Sequence, residues 1–474
     1  MRWDENEWIT GDFDLSFQDS DNREIAYQFY QLMGNDGSNW TANTQRGFAC
    51  DNFDIFNTDL WHPISGNWNN ENSRLQQSST ASSIIYIPMN ENISNAYLYD
   101  FYATIPSTTA PESRIEAIFQ NNNTHFQNDE NAYAVAILPT TQQMKIYKII
   151  AGNRSEILTV NNLATSAGTS CLYRILHDKD AGKISVYRDG QLIGTQIDAN
   201  PLTTEGNYFA LGTYGTGASF DNLRIYRSRG ATAHILVGAG NTNDLPWQAS
   251  NGQSRAKVKS IVADSAGNFS LLQEKSLKVD YTPPRFRGPV IDGMRNDVDT
   301  FTTNSISAHW EAATDPNSGI ANYTCFVVRN PLTQDSRGWT TTATSFTRTL
   351  RLSEGHRFYV LVSAQNGAGL SMQQHSDGFL YLPNSSGPAI THRKSLKTRI
   401  YPNPASDAID LAVLCDTLSD AEALVFDAVG KLIMRKFLID NHIQIPVSDW
   451  PKGVYFIQLH IGNQIVGNDK FIKK

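Results

Sequence analysis

"KISVYRDGQLIGTQID" occupies Lys183–Asp198. Two alternating apolar runs flank the pair Asp189-Gly190, and a two-residue Asp-Gly loop between such runs predicts a β-hairpin with that pair at its tip. The same pattern extends on both sides. "SSIIYIPM", "NAYLYDFYATI", "SRIEAIFQ", "AYAVAILP", "QMKIYKII" and "SCLYRILHD" precede the hairpin, while "NYFALGTYG" and "FDNLRIYRS" follow it. Nine or more short strands with no credible helix between 50 and 228 predict a two-sheet jelly roll.

The bulk composition agrees. At 474 residues the length fits three to four domains. Hydrophobic residues make up 40% and aromatics 11%, enough for packed cores, whereas only 18% are charged. The surface is therefore built from Asn, Thr, Ser and Gly, which compete with helical hydrogen bonding and favour turns and strand ends. The net charge of −8 is spread along the chain with no basic run, which excludes a nucleic-acid footprint. No apolar stretch approaches the length of a membrane-spanning helix.

An imperfect repeat sets the domain order. "VADSAGNFS" (262–270) resembles "AQNGAGLSM" (364–372), and each follows an alternating run. Upstream, "DSDNREIAYQFYQL" (19–32) parallels "DPNSGIANYTCFVV" (315–328). Ile320 and Ala368 are 48 positions apart, but Ile25 and Ala266 are 241 apart, an excess of 193. No loop of a sandwich of about 100 residues is that long. A folded segment is therefore expected inside the first copy, spliced into a surface loop.

Resemblances sharpen this order. Residues 50–228 resemble a laminin-G/concanavalin-like sandwich through "DNFD" (51–54), "SGNWNNENSRLQQSS" (65–79), "ISVYRDGQLIG" and "FDNLRIYRS". Residues 1–49 and 229–282 resemble two halves of one immunoglobulin-like domain. Residues 283–383 are similar to a fibronectin type III domain, carried by Trp310, "SGIANY" and "LSEGHRFYVLVSAQNGAG". Phe358 stands where that family usually has a corner tyrosine, so its hydrogen bond is not expected. The implied fold is all-β, a multidomain array of β-sandwiches with a concanavalin-like jelly roll inserted in an immunoglobulin-like domain. A linker, 384–397, leads to a last domain, 398–474.

That last domain reads "YPNPASDAIDL", "ALVFDAVGKLIMRKFL" and "IPVSDWPKGVYFIQLHIGNQIVGNDKFIKK". Alternation with turn punctuation predicts a small β-sandwich. Pro402 and Pro404 suit an edge where no ladder donor is needed. The segment resembles the type A C-terminal sorting domain of type IX secretion. The matching positions are Tyr401, Pro402, Asn403, Pro404 and Ala405, then Asp427, Gly430 and Lys431, then Gly453, Val454, Tyr455 and Phe456, and finally Lys470, Phe471, Ile472, Lys473 and Lys474. The resemblance implies two partners, an outer-membrane translocon and its sortase-like peptidase, and a secreted or surface location in a Gram-negative bacterium. Such cargo carries a signal peptide, which "MRWDENEWITGDF" does not resemble. A part upstream of Met1 is therefore expected. In similar chains that part is an amidase or a xanthan-lyase/golvesin-like module.

Within these residues the search for chemistry expects no catalytic residue. HExxH, GxSxG and GxxxxGK[ST] do not occur, and "GTYGTG" (212–217) leads into a strand rather than a helix. Glu112 and Glu116, placed on one strand, would stand about 13 Å apart, too far for a glycosidase pair. His309, beside Trp310, is expected to be structural. Cys325 and Cys415 read as buried small hydrophobes, and a Cys50–Cys171 bridge stays open. No cofactor is expected beyond a structural calcium at Asp51, Asp54 and Asp221, where first and last strands would run side by side. The alternative is that these acids cap turns. Aromatics at Trp61, Trp68, Tyr86, Tyr97, Tyr99, Phe101 and Tyr102 supply core, with a few left for a sugar-binding face. The expected role is a non-catalytic, surface-delivered array binding polysaccharide or peptidoglycan. Alternatives are a hydrolase or lyase acting on them, and an adhesin.

Overall fold

A computed structural model describes residues 6–22, 24–37, 39–108, 110–126, 129–203, 206–231, 234–237, 247–330, 338–383, 397–414, 421–438, 441–461 and 464–474. The expected linker lies outside them except for Lys397. The protein is all-β: among the described residues the only helix is one 3-10 turn, Thr44–Arg46. The chain forms two compact units, Met1–Thr282 with Pro316–Ser318, and Pro283–Asp315 with Gly319–Lys474.

The Asp-Gly hairpin forms as its sequence requires. Arg188 pairs with Gln191, and Asp189 and Gly190 take φ of 50° and 83°. Gly adopts that left-handed backbone freely and Asp tolerates it. The Asp189 carboxylate also accepts the Leu172 N–H at 2.9 Å, tying the turn to the neighbouring strand.

Around this hairpin two sheets stack. One has seven strands in the order Asn153–Val160, Gln143–Ile150, Ala132–Leu138, Arg114–Asn121, Tyr208–Tyr214, Ser83–Pro88 and His62–Ser65. In the other, Ala96–Thr104 lies between Ser170–Asp178 and Ala218–Ser228. Alternation sends Tyr97, Tyr99 and Phe101 inward against Phe119, Tyr133, Phe209 and Phe220. Burying each such ring stabilises the sandwich by roughly 1.5–3 kcal/mol.

The second sheet does not end with the jelly roll. Ala218–Ser228 continues into Ile25–Asn35 through Arg227↔Tyr30 and Ser228↔Phe29. Ile25–Asn35 pairs along its length with Ala256–Asp264, then Gln273–Val279 and Trp8–Ile9 complete a 13-stranded sheet. Buried Gln31 bridges the junction, its Nε2 donating to the carbonyls of Ala49 and Ile225 at 2.7 and 2.9 Å. Arg227 lies over the rings of Tyr30 and Phe48 and donates to the Arg46 carbonyl. Phe29 and Ile261 pack against Leu98, Leu176 and Tyr226 in one cluster.

In the second unit, strands from residues 283–315 and 319–383 form two facing sheets. One is Val290–Asp292, Ser305–Trp310 and Ser345–Thr349; the other is built on Ile320–Val328 and Arg357–Asn366. Trp310, Tyr323, Phe346, Phe358 and Phe379 fill the space between them. Phe358 stacks on Phe379 at 6.1 Å, so packing replaces the absent corner hydroxyl. Residues 397–474 form a second sandwich. Lys397–Tyr401, Ala408–Leu414 and His442–Pro446 face a four-stranded sheet of Leu432–Leu438, Ala421–Phe426, Gly453–Ile461 and Gln464–Lys473. Leu411, Val425, Ile457 and Phe471 lie in its core.

Candidate functional site

The seven-stranded sheet has a second face, away from the aromatic core. Ile115, Ala117 and Phe119 point into that core, so Arg114, Glu116 and Ile118 point to the other side. Pairing register lines up one row across this face: His62, Tyr86, Ala210, Ile118, Ala134 and Tyr147. The next row holds Ile84, Gly212, Glu116, Ala136 and Lys145. Ala134, Ala136, Ala210 and Gly212 thus flank Ile118 and Glu116 of the central strand, all of them buried, with rings towards the His62–Ser65 edge and the Arg154 guanidinium towards the other.

On the ring side, Tyr86 stands 5.2 Å from His62, 5.7 Å from Phe126 and 5.4 Å from Tyr208, centroid to centroid. Tyr86, Tyr208 and His62 are half-buried and keep part of each ring open. On the charged side, Arg154 grips Glu116 with Nη1 and Nη2 at 2.6 and 2.8 Å, and Arg114 Nε donates to it at 2.5 Å. Burial alone would raise the Glu116 carboxyl, but Arg154 and then Arg114 overcome it and hold the group below its ordinary value. The guanidiniums are themselves placed by rings: Arg114 lies 4.5 Å over Tyr214 and Arg154 5.3 Å from the Tyr147 centroid. Two cations share one carboxylate here, and Arg154 Nε has no partner.

Glu112 and Glu116 do not share a strand. Glu112 is exposed in the turn before Arg114–Asn121, because Arg114 Nη1 takes its carbonyl and the strand begins only there. A general acid needs a raised pKa, and the buried carboxyl of this face is lowered. "GTYGTG" spans the end of Tyr208–Tyr214 and the turn into Ala218–Ser228.

Of the aromatics expected to include a sugar-binding set, Trp61, Tyr97, Tyr99 and Phe101 are core. Trp68 packs on Phe220. Tyr86 alone of that set joins the ring cluster. Sequence reasoning missed Tyr208 and Arg154, whose only signal was register across neighbouring strands, and Phe126, which a turn outside the strands brings to Tyr86.

The acids expected to hold calcium are placed as follows. Asp51 is buried; its Oδ1 accepts the Phe53 N–H at 2.7 Å and its Oδ2 the Trp61 Nε1–H at 2.8 Å. Phe53 sits at φ 55°, so this carboxylate caps a left-handed turn. Asp54 accepts from the Asn52 amide, and Asp221 faces Arg74 at 3.9 Å. Burial raises the Asp51 carboxyl, the Phe53 and Trp61 hydrogen bonds oppose this, and the Asp54 and Asp221 charges add to it. These three do not bring a ligand atom from each member within 4.8 Å of the others; among the described residues one group elsewhere does. Cys50, Cys171 and Cys325 are free, and Cys415 lies outside the described residues. His309 is half-buried, its ring bonded to the Gly293 carbonyl.

In the tail the expected motifs meet in space. Asn403 Nδ2 donates to the Lys470 carbonyl and Oδ1 accepts the Ile472 N–H, both at 3.0 Å. Ala405 is buried and exchanges backbone bonds with Ile472 and Lys474. The segment around Pro402 and Pro404 is thereby laid against the final strand. Gly453–Phe456 pairs with Lys470–Lys473. Tyr455 stacks on Phe471 at 5.4 Å inside, while Val454, Phe456 and Ile472 face outward. Asp427 closes the turn to Lys431 by accepting its N–H and that of Val429, with Gly430 at φ 83°. Tyr401 is exposed, 3.3 Å from His442, and Lys473 is nearly buried.

Residues 399–474 match the family model described as a secretion system C-terminal sorting domain. The tail is a sorting domain. A sorting domain of this kind implies a secreted, surface-delivered protein and contact with the secretion machinery. No helix among the described residues is long and apolar enough to cross a membrane. No curated protein matches the chain. Solved structures with similarity include a carbohydrate binding module, CBM66, from Bacillus subtilis, with 17% identity, 34% of this chain and 92% of that one covered, and a TM-score of 0.29. A Bacillus subtilis protein with a galectin-like fold has 12% identity, coverage of 38% and 96%, and a TM-score of 0.32. A Bacillus licheniformis beta-glucanase has 15% identity, coverage of 39% and 99%, and a TM-score of 0.31. At these scores the likenesses add no argument about ligand or mechanism.

Proposed function

We propose that the chain is a non-catalytic accessory portion of a bacterial surface protein, exported by type IX secretion, whose jelly roll binds glycan at the half-buried tyrosines on the outer face of the seven-stranded sheet. The location rests on the sorting domain. The glycan reading rests on one observation: the half-buried rings of His62, Tyr86 and Tyr208 cluster on this face of the sheet, and the Arg114–Arg154 guanidinium pair lies on the same face. Pyranose rings present apolar C–H faces to aromatic rings and hydroxyls to fixed donors, and a binding site needs both. Arg114 and Arg154 exceed Glu116 by one positive charge, which favours a sugar bearing a carboxylate. The 50–228 guest, the split host and the fibronectin-like sandwich then act as a spacer and carrier for this face. The translocon and its peptidase are its partners in export.

The test is calorimetric titration of the full chain with oligosaccharides of a neutral β-glucan, a mannan and a polyuronate. Binding of at least one, weakened about tenfold or more (about 1.4 kcal/mol) by Tyr86→Ala or Tyr208→Ala with an intact fold, is the expected result. Reducing ends released during the titration would instead favour a hydrolase. Binding untouched by either substitution would move the site elsewhere.

A further inference from the structure

The 283–383 sandwich contains the one group of three described acids that brings a ligand oxygen from each member within 4.8 Å of the others: Asp292, Asp297 and Asp377. Asp292 ends the strand Val290–Asp292, and "DGMRNDVD" (292–299) folds back at once. Gly293, at φ +99°, permits this: a Cβ there would come within 2.4 Å of the Asn296 carbonyl. The turn returns Asp297 to Asp292. Asp377 arrives from the other sheet, just before Phe379–Tyr381. Arg357 fixes that approach, its Nη2 donating to the carbonyls of Asp377 and Gly378 at 2.8 Å.

A second observation points to a ligand. Asp292 is fully buried, with a relative exposure of 0%. Its Oδ2 accepts the Gly378 N–H at 3.1 Å, but its Oδ1 is buried with no hydrogen-bond partner. A buried acceptor left unpaired is costly and rare in folded proteins. Here it is turned into a group with two further carboxylates, and no described lysine or arginine forms an ion pair with any of the three. Like charges so placed ask for a cation between them.

We propose that Asp292, Asp297 and Asp377 form a calcium site that joins the two sheets of this sandwich. Oxygens bound to one calcium ion lie at most about 5 Å apart, since each is roughly 2.3–2.6 Å from it, and oxygens all within 4.8 Å of one another can share one ion. Asp297 and Asp377 are exposed, so water can complete the six to eight oxygens that calcium takes.

Chelator-stripped full-length chain, titrated with calcium chloride, tests this. The expected result is binding with a rise in melting temperature, and the loss of one calcium equivalent in the Asp297→Asn, Asp377→Asn double variant. Both substitutions are at exposed positions, so circular dichroism of the variant should match the parent. Asp51→Asn should leave that equivalent in place. A stripped chain that takes up no calcium at millimolar concentration, or a double variant with unchanged stoichiometry, overturns the site.

Discussion

Glu116 is fully buried on a sheet face, and a carboxylate survives there only because Arg154 and Arg114 both donate to it. Removing the shared carboxylate strands both guanidinium charges. Glu116→Met should therefore cost about 3–5 kcal/mol at neutral pH, against near-neutral cost for Lys145→Met in the more exposed Lys145–Glu156 pair. Urea unfolding of both variants measures the contrast; similar losses would mean the cluster is dispensable. Glu91 is a second buried acid with the opposite shift. Burial pushes it up to about 7, while hydrogen bonds from Tyr99 and the Gln120 N–H and the Lys179 charge oppose this less strongly. Between the ordinary carboxyl range and that value the folded chain holds a proton that the unfolded chain has lost. Stability from this group is then full in acid and falls as pH rises towards 7, by an amount on the order of 3 kcal/mol. Glu91→Gln keeps an acceptor for Gln120 and a donor for the Tyr99 oxygen. It should flatten the fall in stability between pH 5 and pH 8, and an unchanged slope would remove Glu91 as its source.

At the scale of elements, local chemistry was legible and partnership was not. Asp189-Gly190 determined its own turn because few other pairs accept two left-handed residues. The tail strands could be read from alternation, since each has one buried face. Alternation does not say which face of a strand each ring takes: Tyr97 and Tyr99 fill the core, Tyr208 lies on the other face, and a turn outside the strands brings Phe126 to Tyr86. Nor does it say that Ala218–Ser228 runs on into Ile25–Asn35, a pairing set by Gln31, Arg227 and a shared apolar cluster. Asp292 and Asp377 are 85 positions apart and on opposite sheets, and no strand pattern in the sequence brings them together. Asn403 shows how a motif can be structural. Its amide replaces a strand neighbour for Lys470 and Ile472. Asn403→Ala should cost about 1–2 kcal/mol and speed hydrogen exchange at the Ile472 amide, while exchange at Ile457, bonded within the four-stranded sheet, changes less. Equal acceleration at both would point to global loosening instead.

At the scale of the whole molecule, the question is whether the sorting domain is read as a sequence or as a folded surface. The last residues are not a free tag. Ile472 pairs with Val454 and bonds to Ala405, Phe471 stacks on Tyr455, and Lys474 returns to the Ala405 carbonyl. Deleting Lys470–Lys474 therefore removes both a core ring and the partners of the Asn403 segment. In a type IX-competent host, the full chain behind a signal peptide should reach the surface, and this deletion should leave it in the periplasm. Loss of fold alone would give that result, so the outward side chains supply the sharper test. Val454, Phe456 and Ile472 are 38%, 44% and 47% exposed on one face of the four-stranded sheet, where they contribute little to the core. A small apolar patch kept in water is more easily explained by a partner than by packing. Val454→Ser with Phe456→Ser should leave the tail's melting temperature nearly unchanged yet reduce surface display several-fold, with the protein accumulating in the periplasm. Display at the parental level with this patch removed would show that the translocon reads another face, and display without residues 397–474 would refute the export role of the tail.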